Sequence, residues 1–203
     1  MSRREFLIST AALFAVVTAL LGGRPASAGD PLSVTVLVAY HSATGNTEQM
    51  AEGVADGAKA VSGTVVLLKK VGDVVAGDLT GSDAVIVGSP VYVANMSGEV
   101  KAFLDSWSLK FGLFQNRKMR NKVGAAFATG AAASGGKEFT ILGILAAMLN
   151  NQMIVVSGGG GFGASATTGA DSPGIDDKEL ASARDLGRRV AEIAAVVKRG
   201  SSP

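Results

Sequence analysis

Val34-Thr-Val-Leu-Val-Ala-Tyr40 runs without a break into His41-Ser-Ala-Thr-Gly-Asn-Thr47, and this junction decides how the chain folds. The first part is apolar at nearly every position and rich in β-branched residues, the composition of a strand covered on both faces. The second part carries hydroxyls, a glycine and no acid or lysine. A helical repeat of apolar residues follows at Met50, Val54, Ala58 and Val61. A strand that empties into such a loop at a helix start makes an anion cradle. The first N–H groups of a helix lack intrahelical partners, the helix dipole favours negative charge there, and Gly45 lets backbone approach a ligand closely. No Lys or Arg lies between Arg24 and Lys59, so Ser42, Thr44 and Thr47 would hold a phosphate with neutral donors. A nucleotide P-loop needs G-x-x-x-x-G-K-[ST]. The nearest stretch has Ala131 at the first glycine and Glu138 at the Ser/Thr position.

The rest of the chain alternates apolar runs with helical repeats. Runs at 34–40, 64–68, 84–87, 123–128 and 153–157 read as five parallel strands buried on both faces. Val100, Phe103, Leu104 and Trp107 mark one helical face, and Ile141, Leu145, Met148 and Leu149 another. Leu180, Ala183, Leu186, Val190, Ile193 and Val197 mark a last helix, with Asp176 and Glu179 as its capping box. Between 68 and 82 the chain is too short, and too broken by Gly72 and Gly77, for a long helix.

Three loops, in order, carry a family resemblance. Ser42-Ala-Thr-Gly-Asn-Thr47 resembles the FMN-phosphate loop of flavodoxins. Gly88-Ser-Pro-Val-Tyr-Val-Ala-Asn-Met-Ser-Gly-Glu-Val-Lys-Ala-Phe-Leu-Asp105 resembles the loop and helix after the third strand in FMN-dependent NAD(P)H:quinone oxidoreductases of the tryptophan-repressor-binding-protein type. Phe127-Ala-Thr-Gly-Ala-Ala-Ala-Ser-Gly-Gly-Lys-Glu138 sits where that family has a Gly-rich loop after strand four. The resemblance covers 34–198 and implies an α/β, flavodoxin-like, doubly wound five-stranded parallel sheet of order 2-1-3-4-5. Ligand then lies at the carboxyl ends, beside the switch between strands 1 and 3. It also implies an FMN site. Ser42, Ala43, Thr44, Gly45, Asn46 and Thr47 would hold the phosphate. Pro90, Val91, Tyr92, Val93 and Asn95 would edge the isoalloxazine, and Thr129, Gly130, Gly135 and Gly136 would turn N–H groups to its N1/O2 edge, where reduction places negative charge.

The implied activity is electron transfer from NAD(P)H, or another donor, to a quinone-like acceptor, with FMN carrying the chemistry. The alternative is a flavodoxin-type carrier, or a flavin-binding protein without NAD(P)H turnover, that serves a redox protein. Two departures bear on this. The family has a histidine near the flavin after the fourth helix, whereas this chain reads Leu149-Asn-Asn-Gln152. The connections over 69–83 and 158–176 are also short, and longer versions in the family help form its tetramer and nicotinamide site. A homo-oligomer therefore stays open.

Other features carry less. His41 is the only histidine, so it more readily flanks the cradle than builds a triad or a metal site. Gly158-Gly-Gly-Gly-Phe-Gly163 satisfies G-x-G-x-x-G but follows the fifth strand, and a Ser/Ala/Thr/Gly loop comes after it, so it is a decoy. Trp107 and Phe111 either wall the site or pack a helix end. Lys110, Arg117, Lys118, Arg120 and Lys122 form a basic run that reads as a solvated loop.

The front of the chain reads as an address. Ser2-Arg-Arg-Glu-Phe-Leu7, the apolar run 8–21 and the small-residue site Ala26-Ser-Ala28 form a twin-arginine export signal, with cleavage after Ala28. The apolar run falls short of the roughly 20 residues of a spanning helix. Residues 1–28 are thus expected to be a leader and 29–203 one flavodoxin-like domain, exported to the periplasm or beyond and meeting a membrane only in transit. The whole chain has 19 basic and 17 acidic residues; Arg3, Arg4, Arg24 and Glu5 belong to the leader, which leaves 16 of each. A neutral mature chain gives no support to nucleic-acid binding. The absence of cysteine excludes disulfides, a lipoprotein anchor and thiol chemistry.

Overall fold

A computed structural model of the protein describes residues 33–158, 161–169 and 174–201; the expected leader lies outside them. Strand β1 (Val34–Tyr40) pairs in parallel with β2 (Thr64–Lys70) and β3 (Ala84–Tyr92), and β3 with β5 (Val123–Gly130). The sheet order is β2-β1-β3-β5-β6, where β6 is Ile154–Val155. This is the doubly wound order that the sequence implied. Alternate residues of β1 feed two cores. Val34, Val36, Val38 and Tyr40 pack under helices α1 (Asn46–Lys59) and α5 (Asp177–Ser201), while Leu37 and Ala39 join the core under α2 (Ala76–Gly81), α3 (Gly98–Leu109) and α4 (Lys137–Asn150).

Four expectations about the elements change. The fifth strand is not continuous over 153–157. Ile154–Val155 pairs with the start of β5, the chain leaves the sheet, and β7 (Ala164–Thr167) rejoins β5 at Phe127 to Gly130. Gly163, the last of the expected decoy glycines, therefore stands directly before β7. Re-entry requires glycine, because a Cβ at Gly163 would stand 2.1 Å from the Ala126 carbonyl oxygen. Second, β3 runs on past 87, so Pro90, Val91 and Tyr92 are strand rather than loop. Proline is tolerated there because pairing with β1 stops at Gly88, leaving that edge open. Third, β2 is an edge strand with Val65 and Leu68 exposed, not buried on both faces. Fourth, Leu149 lies outside the core.

Elsewhere the residues predict their elements. The stretch after β2 forms only a 3-10 turn (Val71–Asp73) and the six-residue α2, whose start is fixed by Asp78 accepting from the Val75 N–H at 2.9 Å. The capping box of α5 is reciprocal. Glu179 N–H donates to Asp176 Oδ1 at 2.7 Å, and Asp176 N–H to Glu179 Oε2 at 3.2 Å. Helices α1 and α5 cross at glycines. A Cβ on Gly57 would meet the Arg184 carbonyl at 1.9 Å and one on Gly187 the Val54 carbonyl at 1.9 Å, so helix-weakening residues are required for close contact.

Candidate functional site

Three loops converge at the carboxyl ends of β1, β3 and β5. The first is the loop between β1 and α1. Gly45 is the N-cap of α1, in the left-handed region at φ +89°, and no side chain caps the helix. The first N–H groups of α1 are thus left without the usual Ser or Asp cap, as an anion site requires. A Cβ at Gly45 would meet nothing within 4 Å, so the glycine serves backbone conformation and an open mouth. Gly45 N–H donates to Ser42 Oγ at 3.1 Å, and Asn46 Nδ2 to Thr44 Oγ1 at 3.2 Å. Ala43 and Thr44 are exposed.

Thr47, expected as a phosphate donor, has a second contact of its own. Its hydroxyl is buried, 2.7 Å from Thr129 Oγ1, and braces α1 against β5. The one acid in the first turn, Glu48, is turned toward the sheet. It accepts from the Tyr40 hydroxyl at 2.5 Å and lies 3.7 Å from Lys70 Nζ. Burial first, and then the Glu48 carboxylate, push the Tyr40 hydroxyl up to about 12.

The second loop is a two-residue hairpin between β3 and β4 (Asn95–Met96), with Tyr92 opposite Asn95. Its tip, Val93 and Ala94, takes φ +48° and +62°, a conformation suited to Asn-Gly. A β-branched residue there is strained. Val93 is fully exposed at the tip. Buried serines that the sequence reading missed hold the hairpin base: Ser97 N–H donates to Ser89 Oγ at 2.9 Å, and Ser89 Oγ to the Pro90 carbonyl at 2.7 Å. Ser97 also caps α3 by accepting from Val100 N–H at 3.3 Å. A serine three residues before an apolar helical repeat is the signal that would have found it.

The third loop, 131–136, joins β5 to α4. Thr129 and Gly130 belong to β5 itself, paired with Ala166 and Thr167, so they are sheet residues rather than loop donors. Gly135 also departs from expectation, because its N–H closes a turn onto the Ala132 carbonyl at 3.3 Å. Gly136 sits at φ +102°, and a Cβ there would lie 2.7 Å from the Ala94 carbonyl oxygen, which seats the hairpin on the start of α4. Lys137, which the sequence places at the end of the Gly-rich loop and in a failed P-loop match, is buried with its Nζ bonded inside the loop.

His41 flanks the cradle as expected. It lies edge-on to Tyr92 with ring centroids 6.4 Å apart, and Nε2 is 3.6 Å from Glu99 Oε2. It also lines a cleft of about 550 Å3 with Lys70, Val74, Phe103, Lys110 and Phe111. Trp107 is fully buried against Phe103 and does not wall the site. Of the basic run, Lys122 is not solvated. Its Nζ donates to the Thr80 carbonyl at 2.9 Å and to the Ser82 carbonyl, and burial lowers its pKa. Among the described residues no His, Cys, Asp and Glu grouping suits a metal, and no helix is long and apolar enough to cross a membrane.

This arrangement of sheet and loops is shared with known proteins. A family model described as NADPH-dependent FMN reductase matches residues 32–167. The chain belongs to that family. It is 33% identical to an NAD(P)H dehydrogenase (quinone) of Geotalea uraniireducens, over 81% of this chain and 99% of that protein. A flavodoxin of Aquifex aeolicus is also 33% identical, over 81% of this chain and 89% of the relative. The solved structure of a WrbA-like flavodoxin from Agrobacterium tumefaciens superposes with a TM-score of 0.68 at 28% identity, covering 80% of this chain and 98% of that one.

The donor set fits the FMN that the family's name carries. An uncapped helix start behind a left-handed glycine, rimmed by Ser42 and Thr44 hydroxyls and with its acid turned away, suits one monophosphate. The loop carries no lysine or arginine for the longer pyrophosphate of a dinucleotide.

Proposed function

We propose that the protein is an FMN-dependent oxidoreductase that moves electrons from NAD(P)H to a quinone-like acceptor. The observation that carries this reading is the uncapped, uncharged start of α1 at Gly45, set in a framework one-third identical to NAD(P)H dehydrogenases (quinone). Bound FMN would supply the two-electron chemistry between the nicotinamide and the acceptor. The chain's own residues bind and orient. Ser42, Thr44 and the leading N–H groups of α1 hold the phosphate. The β3–β4 hairpin, seated on Gly136 and pinned by Ser89 and Ser97, supplies a fixed edge with Tyr92 on its strand. Thr47 and Thr129 lock the cradle to β5 beneath.

Protein produced without residues 1–28 should be yellow, hold about one FMN per chain and oxidise NAD(P)H when benzoquinone is supplied. FAD in place of FMN, or no flavin after reconstitution, refutes the cofactor. The second reading, a flavodoxin-type carrier, is favoured by the Aquifex aeolicus relative. A protein that holds FMN but shows no NAD(P)H-dependent turnover is that carrier.

The route of the chain is a separate proposal. Arg3-Arg4, the apolar run 8–21 and Ala26-Ser-Ala28 support twin-arginine export, a route that carries folded, cofactor-loaded proteins. Replacing Arg3 and Arg4 by Lys should retain a folded, yellow protein in the cytoplasm; normal export of that variant refutes the route.

A further inference from the structure

Lys137 opens α4 and is only 3% exposed. Burial strips an ammonium of its water, and the dipole at a helix N-terminus repels positive charge. No carboxylate lies within ion-pair distance of it among the described residues. The nearby acid Glu179 does not contact it directly and accepts from the N–H groups of Thr167 at 2.6 Å and Asp176 at 3.2 Å. Lys137 Nζ instead donates to the Ala132 carbonyl at 3.0 Å, the Ala133 carbonyl at 3.2 Å and Thr167 Oγ1 at 2.5 Å. Three acceptors meet the three donors of an ammonium. The nitrogen is satisfied by three neutral oxygens, with no carboxylate in direct contact.

The same bonds set the direction of the loop. In a trans peptide the carbonyl and the following N–H point opposite ways. With the carbonyls of Ala132 and Ala133 drawn in to Lys137, the N–H groups of Ala133 and Ser134 face outward, and both residues are exposed. A pair of outward N–H groups backed by a buried positive charge is an anion-facing surface. It stands next to the hairpin, because Gly130 packs on Val91 and Gly136 on Ala94.

Resting on the FMN reading above, we propose that Lys137 is a positioning residue that makes this site bind reduced FMN more tightly than oxidised FMN. It aims the N–H groups of Ala133 and Ser134 at the flavin's pyrimidine edge and leaves behind them a cation held only by neutral oxygens. Transfer of a hydride, two electrons with one proton, from NAD(P)H yields NAD(P)+ and leaves one added negative charge on the flavin, spread over N1 and O2. That charge is what the loop is built to meet. These donors replace Thr129, Gly130 and Gly135, whose groups are committed to the sheet or the turn.

Lys137→Gln keeps two donors and removes the charge, Lys137→Met removes both, and Lys137→Arg keeps the charge. Apoprotein of each is titrated with oxidised FMN by flavin fluorescence, its melting is followed by circular dichroism, and its two-electron potential is measured against a reference dye. Lys137→Gln should bind oxidised FMN within threefold of wild type, while its preference for reduced over oxidised FMN falls at least tenfold, about 30 mV in a two-electron couple. Lys137→Arg should restore most of that preference. If Lys137→Gln does not fold, Lys137→Met is measured in its place and should likewise lose at least tenfold of that preference. An unchanged potential in a folded, charge-free variant overturns the proposal, as does equal weakening of both FMN forms. Loss of fold in both charge-free variants would make the lysine purely structural and overturn it too. Wild-type protein that binds no FMN would instead refute the cofactor reading itself.

Discussion

The loop that starts α1 and the loop that starts α4 face the same site but are held in different ways. The first is closed mainly by its own residues: Gly45 bonds Ser42, Asn46 bonds Thr44, and Gln49 N–H returns to the Gly45 carbonyl at 2.9 Å. The second has local bonds too, from Lys137 to Ala132 and Ala133, but is also fixed from a distance. Thr167 bonds Lys137 across 30 positions of sequence, and Ala94 seats Gly136 from across the hairpin. A locally closed loop keeps its shape whatever the rest of the chain does, so its residue types announce it. A remotely closed loop uses unremarkable residues, because its shape comes from what packs against it.

The largest test of this contrast is Gly136→Val. It forces a β-branched residue to φ +102° and drives a Cβ into the Ala94 backbone. We expect a loss of roughly 3 kcal/mol in stability, from backbone strain and overpacking together. FMN binding should fall with it, since the hairpin loses its seat. Denaturant melts and FMN titration measure both, and a stability near wild type would break the comparison.

Within the first loop, two threonines should separate. Thr47→Ala leaves the buried Thr129 hydroxyl without its partner and should destabilise the fold by about 1–3 kcal/mol. Thr44→Ala removes an exposed hydroxyl and should leave stability within about 0.5 kcal/mol while weakening FMN by about tenfold. Equal effects of the two on stability would mean that the brace to β5 does not exist.

The underside of the same loop can be read by pH. Tyr40 titrates near 12 in the folded chain against 10.0 for an ordinary tyrosine. Its contribution is present below pH 10 and is lost as pH rises from 10 to 12, because the unfolded chain releases that proton first. Tyr40→Phe should therefore flatten the alkaline limb of a stability-pH profile by roughly 2 kcal/mol across that window. An unaltered limb would show that burial and the Glu48 contact do not hold the proton.

The smallest expected effect concerns the hairpin that links the two loops. Val93→Asn with Ala94→Gly puts the favoured pair into a turn now occupied by two left-handed non-glycine residues. Stability should rise by about 1 kcal/mol. A fall would mean that Val93, although fully exposed, is held by something other than the turn.

The sequence by itself determined the alternation of strands and helices, the place of the cradle and the capping of α5. Each of these rests on spacing within a few residues: apolar runs, a 3.6-residue repeat, or Asp176 facing Glu179. Tertiary structure alone decided the split of the fifth strand, where Ala164-Ser-Ala-Thr167 is a weak strand former that gains its place beside β5 through Gly163. It also decided that Thr47 braces rather than points outward, that Thr129 and Gly130 belong to the sheet, and that a lysine from a failed phosphate motif lies buried beneath the third loop. The physical reason is the same in each case. A side chain's partner 30 or 80 positions away leaves no periodicity behind, and burial, which turns a hydroxyl or an ammonium inward, is a property of the packed chain rather than of the residue.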